Sequence, residues 1–198
     1  MSQHVSFAAK ETLFVQGEAA DAVYSLTSGV ARLYKIMPDG RRQIVGFGLP
    51  GDFLGLAMRD RYGFSVDAVT EVSACRFARG AYSNFVDDHP TLLRRLHEFA
   101  THELTLAQDQ MLLLGRRNAE EKLASFLISM RERWAKLGEP SITVELPMSR
   151  QDIADFLGLT IETVSRTFTK LAKRKIIAVV PGGVRLVNLA HLETIAAA

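Results

Sequence analysis

The chain has 198 residues, 47% apolar and 23% charged, the balance of a protein that folds around a core rather than of a disordered tail. No apolar run approaches the roughly 20 residues a membrane helix needs, and Met1-Ser2-Gln3-His4-Val5 lacks both the basic and the apolar stretch of a secretory leader. A single cysteine, Cys75, excludes an internal disulfide or a CxxC pair, and a cytoplasmic protein without a membrane partner is expected. Net charge is only +2, but it is uneven. Residues 1–114 carry 11 Lys/Arg against 13 Asp/Glu, and residues 115–198 carry 13 against 9, so the C-terminal part is the one suited to a polyanion.

Eight of the 14 glycines fall between Gly17 and Gly63, where they punctuate short runs rich in Val, Ile, Phe and Tyr. In Val30–Ile36, Arg32, Tyr34 and Ile36 alternate with Ala31, Leu33 and Lys35. Pro38-Asp39-Gly40 reads as a turn, and Arg42 to Phe47 as the returning strand of a hairpin. Short strands at this spacing predict a compact antiparallel, jelly-roll-like barrel reaching to about Phe85.

Pro90 suits a first helical turn, and Thr91 to Leu114 holds neither Gly nor a further Pro. Two apolar stripes run along this predicted helix. One is Leu93, Leu96, Ala100, Leu104, Ala107, Met111 and Leu114; the other is Leu92, Phe99, Leu106 and Leu113. Two stripes call for two partners. The barrel is one, and the same helix of a second copy is the other, although a helix buried within a monomer would carry the same pattern. The first stripe contains steps of four, three, four and three from Ala100 onward, the rhythm of a coiled-coil seam.

A helix over Asn118–Trp134 follows, then Gly138-Glu139-Pro140 and a short strand over Ile142–Leu146. The informative stretch comes next. Ser149-Arg150-Gln151-Asp152 reads as a helix-capping sequence, with Ile153, Ala154, Phe156 and Leu157 at helical spacing. Gly158 permits a left-handed turn and Thr160 is a good cap. A second helix runs from Ile161 to about Arg174, with Ile161, Val164, Phe168 and Leu171 on its inner face. Helix, glycine turn, helix is the helix-turn-helix pattern. Its outer face offers Glu162, Thr163, Ser165, Arg166, Thr169, Lys170 and Lys173. Arginine can grip guanine with two hydrogen bonds and glutamate can accept from cytosine, whereas Ser and Thr reach phosphates or base edges. A merely solvated helix face would show similar charges. Ile176–Val180 and Val184–Val187 around Pro181-Gly182-Gly183 read as a hairpin, either a wing beside that helix or a completion of the small core.

With these residues in view, the chain resembles the Crp/Fnr family of bacterial transcription regulators. The resemblance rests on Ser149 to Arg166, where Glu162, Ser165 and Arg166 match a Glu-x-x-Ser-Arg pattern of the Fnr and FixK branches. It rests also on the Leu112 to Ala124 stretch, Leu-Leu-Leu-Gly-Arg-Arg-Asn-Ala-Glu-Glu-Lys-Leu-Ala. It implies an α+β architecture: an N-terminal antiparallel β-roll over 1–88, a dimerisation helix over 89–117 and a winged helix-turn-helix over 118–198. It implies a homodimer that regulates transcription on double-stranded DNA, at a palindrome of TTGAT-like half-sites, and contacts RNA polymerase. Glu162, Ser165 and Arg166 would read bases, with Thr163, Thr169, Lys170 and Lys173 toward phosphates and the Leu93–Leu114 stripe in the dimer seam.

The departures from that family bear on cofactors. Cyclic-nucleotide members carry Gly-Glu and a following Arg-Ser/Thr. Here Gly55 is followed by Leu56, Phe64–Ala68 offers no arginine, and Arg59 and Arg61 are out of register. The oxygen-sensing branch holds a [4Fe–4S] cluster on three N-terminal cysteines and one in the β-roll. Cys75 falls near that last position, but one thiolate cannot hold a four-ligand cluster. The chain is then either a cluster-free member or one that lacks an N-terminal cysteine segment, in which case a ligand- or redox-sensing β-roll is the alternative reading. As a residue, Cys75 reads as a small buried hydrophobe, and no cofactor or metal is expected. Neither is an enzyme: His4, His89, His97, His102 and His191 lack metal-ligand spacing, and no nucleophile motif is present.

Overall fold

The computed structural model describes residues 2–197 apart from 57–59, 88, 90, 92, 95, 96, 99, 102, 103, 106, 109, 110, 112–114, 116, 117, 139 and 140. The chain divides into two compact units, Met1–Asp109 and Gln110–Ala198.

The first unit is built on two four-stranded antiparallel sheets. One orders β1 (Ser2–Phe7), β8 (Val72–Ala78), β3 (Ala22–Ser28) and β6 (Phe53–Leu54). The other orders β2 (Thr12–Phe14), β7 (Ser65–Ala68), β4 (Ala31–Ile36) and β5 (Arg42–Gly48). One apolar cluster takes residues from both sheets, among them Leu26 and Val72 from the first and Phe14, Ala31 and Val66 from the second. The sheets therefore close over a shared core. The predicted hairpin is β4–β5, and its turn is pinned by Met37 N–H donating to the Arg41 carbonyl at 2.8 Å, with Gly40 at φ +81°. The expected alternation along β4 is interrupted. Leu33 faces Gly46 and Tyr34 faces Ile44, so Val45 is an extra residue opposite the junction and is left exposed.

The strands stop short of Phe85. Residues Arg79–Asp87 form a helix, α1, instead of the last part of the barrel. Tyr82 and Val86 lie four apart, a helical spacing that places Tyr82 against Phe53 and Phe77 and buries Val86; Gly80, a poor helix former, obscures that signal. Cys75 is half-buried rather than buried, in register with His4 on one neighbouring strand and Ser25 on the other.

The described residues between 91 and 115 are all helical, and they are called α2. Leu93, Ala100, Leu104, Ala107 and Met111 of the first stripe are exposed on the chain. Pro90, Leu96 and Leu114, and all four residues of the second stripe, lie outside the described residues.

The second unit holds α3 (Ala119–Ala135), β9 (Thr143–Glu145), α4 (Arg150–Leu157), α5 (Ile161–Lys173), β10 (Ile177–Val180), β11 (Gly183–Leu186) and α6 (Leu189–Ala197). Helix α3 begins on a complete capping box. Asn118 accepts from the Glu120 and Glu121 amides, and Glu121 accepts from the Asn118 amide at 3.0 Å. Leu123, Leu127, Ile153, Leu157, Leu171, Ile176 and Leu192 are almost fully buried and form the core. The terminal helix α6, which packs on α3 and contributes Leu192, has no counterpart in the sequence reading. Its nine residues, Leu-Ala-His-Leu-Glu-Thr-Ile-Ala-Ala, show little amphipathic contrast, so packing rather than pattern defines it. Among the described residues, no helix is long and apolar enough to cross a membrane, and no group of His, Cys, Asp and Glu is placed to hold a metal ion.

Candidate nucleic-acid interface

The helix-turn-helix is fixed at three joints. Ser149 opens α4: its hydroxyl accepts from the Asp152 amide at 3.1 Å, while the Asp152 carboxylate accepts from the Ser149 amide at 3.0 Å and the Ser149 hydroxyl at 2.7 Å. Asp152 is buried, and this ring of bonds satisfies it. Gly158 ends α4 in the left-handed conformation, φ 62° and ψ 42°, where any Cβ would be strained. Thr160 then opens α5, its hydroxyl accepting from the Thr163 amide at 3.2 Å. Only two residues separate the α4 end from the α5 cap, so the angle between the helices is set by backbone geometry.

Helix α5 is strongly two-faced. Val164, Thr167, Phe168 and Leu171 are buried. Glu162, Ser165, Arg166, Thr169, Lys170 and Lys173 are exposed on the opposite side, and Thr163 is half-buried at the edge. Ile161, expected on the inner face, is 37% exposed. It is the first residue of the helix, and the buried Thr167 is on the inner face instead, its hydroxyl donating to the Thr163 carbonyl at 2.7 Å.

The first turn of α5 is polar and preorganised. Backbone N–H bonding at the helix start holds the Glu162 carboxyl below the usual range, with the Thr160 hydroxyl and nearby Arg166 adding to the effect. Glu162 is therefore ionised at neutral pH and can only accept. Arg166 lies within 3.4 Å of the Thr163 hydroxyl, which in turn is 3.0 Å from that of Thr160. The Thr169 hydroxyl donates to the Ser165 carbonyl at 3.0 Å.

Lys170, expected to face phosphate, is already engaged. Glu120 on α3 takes it together with Arg174, whose Nη1 lies 2.8 Å from the carboxylate. Sequence reading missed Glu120, because its partners lie 50 and 54 residues away. It missed Lys122 as well. That ammonium is buried and donates to the Leu157 carbonyl at 3.3 Å, satisfying the C-terminal end of α4.

The β10–β11 hairpin joins β9 in a three-stranded antiparallel sheet and sends Ile177, Val184 and Leu186 into the core. A Cβ on Gly183 would lie 2.1 Å from the Val144 carbonyl oxygen, so only glycine allows β11 to pair with β9 there. The hairpin thus completes the core, while Val179 and Arg185 remain exposed on it.

Residues 121–195 match the Crp-like helix-turn-helix domain and residues 4–89 the cyclic nucleotide-binding domain. The chain is 59% identical to the transcriptional activatory protein AadR of Rhodopseudomonas palustris, over 100% of this chain and 83% of that protein. It is 52% identical to the nitrogen fixation regulation protein FixK of Bradyrhizobium diazoefficiens, over 100% of this chain and 84% of that one. The structure of FixK2 from Bradyrhizobium japonicum superposes with a TM-score of 0.91 at 34% identity, covering 100% of this chain and 98% of that one. The Crp-like helix-turn-helix match and relatives that are transcription regulators make this chain a DNA-binding transcription regulator rather than an enzyme. The chain belongs to the Crp/Fnr family, with its relatives in the FixK, AadR and FnrL group.

Proposed function

We propose that this regulator acts in the cytoplasm as a homodimeric activator on a palindrome of TTGAT-like half-sites, read by the first two turns of α5. In this reading Glu162, Ser165 and Arg166 meet base edges, with Arg166 on guanine and Glu162 on cytosine. Thr163, Thr169 and Lys173 lie toward phosphates, and Lys170 joins them only when released from Glu120. Residues 1–88 form the β-roll, 89–117 the dimerisation helix and 118–198 the DNA-binding part, and RNA polymerase is the partner at the promoter.

The observation that carries the reading is the outward Glu162–Ser165–Arg166 group on a helix start locked by Gly158 and Thr160. Arginine and an ionised glutamate one turn apart supply a donor fork and an acceptor, the complement of a G·C step in the major groove. Activation is supported by the names of two relatives, an activatory protein and an activator. Arg166→Ala is expected to cost about 1–3 kcal/mol on the cognate palindrome and to relax preference at the guanine position. Mobility shifts with all four bases at that position test it, and unchanged selectivity would overturn the assignment.

A further inference from the structure

Glu120 is the second residue of α3, and it binds two cations, Lys170 on α5 and Arg174 at the C-cap of that helix. One carboxylate oxygen pairs with Lys170 Nζ and the other lies 2.8 Å from Arg174 Nη1. Arg174 Nη2 also lies 3.1 Å from His191 Nε2 on α6, which fixes the guanidinium from a second side. Lys170 and the C-cap Arg174 are four residues apart, in line with Arg166 one turn earlier on α5. The Glu120 side chain is 22% exposed, against 60% for Lys170. It is thus the sheltered member of the pair.

Two negatively charged partners cannot hold the same cation fully. A phosphate that approaches Lys170 or Arg174 must displace the Glu120 carboxylate or share the cation with it. Sequence-independent DNA binding is the term that depends on the number of neutralised phosphates. Base readout by Glu162, Ser165 and Arg166 does not use Lys170 or Arg174. On this geometry, we infer that Glu120 is a specificity-determining residue: it withdraws Lys170 and Arg174 from the phosphate backbone and so depresses non-specific DNA binding relative to operator binding. The inference rests on the reading of α5 as the base-contacting helix.

The test is the salt dependence of binding to a non-operator duplex and to the palindrome, measured by fluorescence anisotropy on the full chain. Glu120→Gln should tighten non-specific binding about fivefold at low salt and steepen its log K against log salt slope by about 1–2, since each phosphate gained adds about 0.9. Operator binding should tighten less, so the specificity ratio falls. Glu132→Gln, which removes the same charge from an exposed site on α3 three turns away, controls for net charge. Adding Lys170→Gln and Arg174→Gln in the Glu120→Gln background should abolish the gain in slope. Equal slopes for Glu120→Gln and Glu132→Gln, with circular dichroism unchanged, would overturn the inference. If Arg166→Ala relaxes base preference while Glu120→Gln has no effect, the role of α5 stands and only the role of Glu120 falls. If Arg166→Ala leaves preference intact, the reading of α5 itself falls, and this inference with it.

Discussion

The guanidinium of Arg150 lies over the ring of Phe168, with Cζ 3.1 Å from the ring centroid. Arg150 is the first residue of α4 and Phe168 sits in the middle of α5, so this contact bridges the two helices of the DNA-binding motif. The position is electrostatically unfavourable in isolation. Arg150 sits at the positive end of its own helix, and burial pushes its pKa down. The electron-rich face of the ring offsets both. Arg150→Ala should therefore destabilise the C-terminal unit by about 1–2 kcal/mol, through lost stacking and lost packing of the stem. Arg150→Met should restore the packing part alone. Urea midpoints of the three proteins check this, and an unchanged midpoint for Arg150→Ala would refute the bridge.

The motif was legible because its signals are local. Ser149 and Asp152 are three residues apart, and their reciprocal bonds are the ones that spacing predicts. Gly158 was recognisable as a left-handed turn for the same reason. What escaped depends on distance along the chain. Gly183 reads as a turn residue beside Pro181 and Gly182, yet its necessity comes from the Val144 carbonyl, on a strand 39 residues earlier. Glu120 reads as part of a helix cap, and nothing near it announces Lys170 or Arg174. Arg79–Asp87 failed for a different reason: its helical period is carried by Tyr82 and Val86 alone, too few positions to outweigh the strand-rich run before it. In β4 the alternation was legible, but the bulge at Val45 that ends it arises from pairing with β5.

The β-roll offers a test at alkaline pH. The Tyr62 hydroxyl donates to the Ala22 carbonyl at 2.9 Å and accepts from the Ala22 amide at 3.2 Å, and its ring stacks on Phe14 at 3.9 Å between centroids. Burial pushes the Tyr62 pKa up to about 12, against the opposing pull of the Ala22 hydrogen bond. The fold therefore holds the neutral phenol. An unfolded tyrosine ionises near pH 10, so the contribution of Tyr62 is whole below about pH 10 and is lost as pH rises through about 12. The thermal stability of the β-roll should fall across that window. Tyr62→Phe should cost about 1–2 kcal/mol at neutral pH, because the buried Ala22 groups lose a partner, and should flatten the alkaline fall. The difference between parent and variant melts isolates this residue from other alkaline titrations. A constant difference from pH 8 to 12 would contradict the assignment.

The same tyrosine bears on ligands. Tyr62 closes on Gly55, where a Cβ would lie 3.1 Å from its ring, and Arg61 donates to the Gly17 carbonyl at 2.6 Å. The Ser65 hydroxyl accepts from the Gln16 amide at 2.9 Å, and Asp67 carries a two-point ion pair with Arg32. The polar side chains of Arg61, Tyr62, Ser65 and Asp67 thus each have a partner within the protein. Millimolar cAMP should leave the melting temperature and operator affinity unchanged, since a ligand that binds only the native state must raise its stability. A rise in melting temperature that depends on cAMP concentration would show a pocket that these contacts do not block.

The exposed stripe on α2 carries the last prediction. Ala100, Leu104, Ala107 and Met111 follow steps of four, three and four, and all are exposed on the single chain, Leu104 by 58% and Met111 by 64%. Large apolar side chains at coiled-coil spacing, left uncovered, fit a second copy of the same helix. The two alanines remove bulk where the backbones would come together, and a twofold axis would bring Ala107 near its own mate. Ala107→Asp then places two carboxylates face to face in an apolar seam, where repulsion and desolvation add. Leu104→Glu also forfeits the burial of a leucine on each side, about 1.5–3 kcal/mol apiece. Both variants should shift the chain toward monomer in sedimentation equilibrium, Leu104→Glu further than Ala107→Asp. Operator binding should weaken in parallel, because only a dimer spans two half-sites about one helical turn apart. A monomer–dimer equilibrium unmoved by either substitution, with the fold intact by circular dichroism, would place the seam elsewhere.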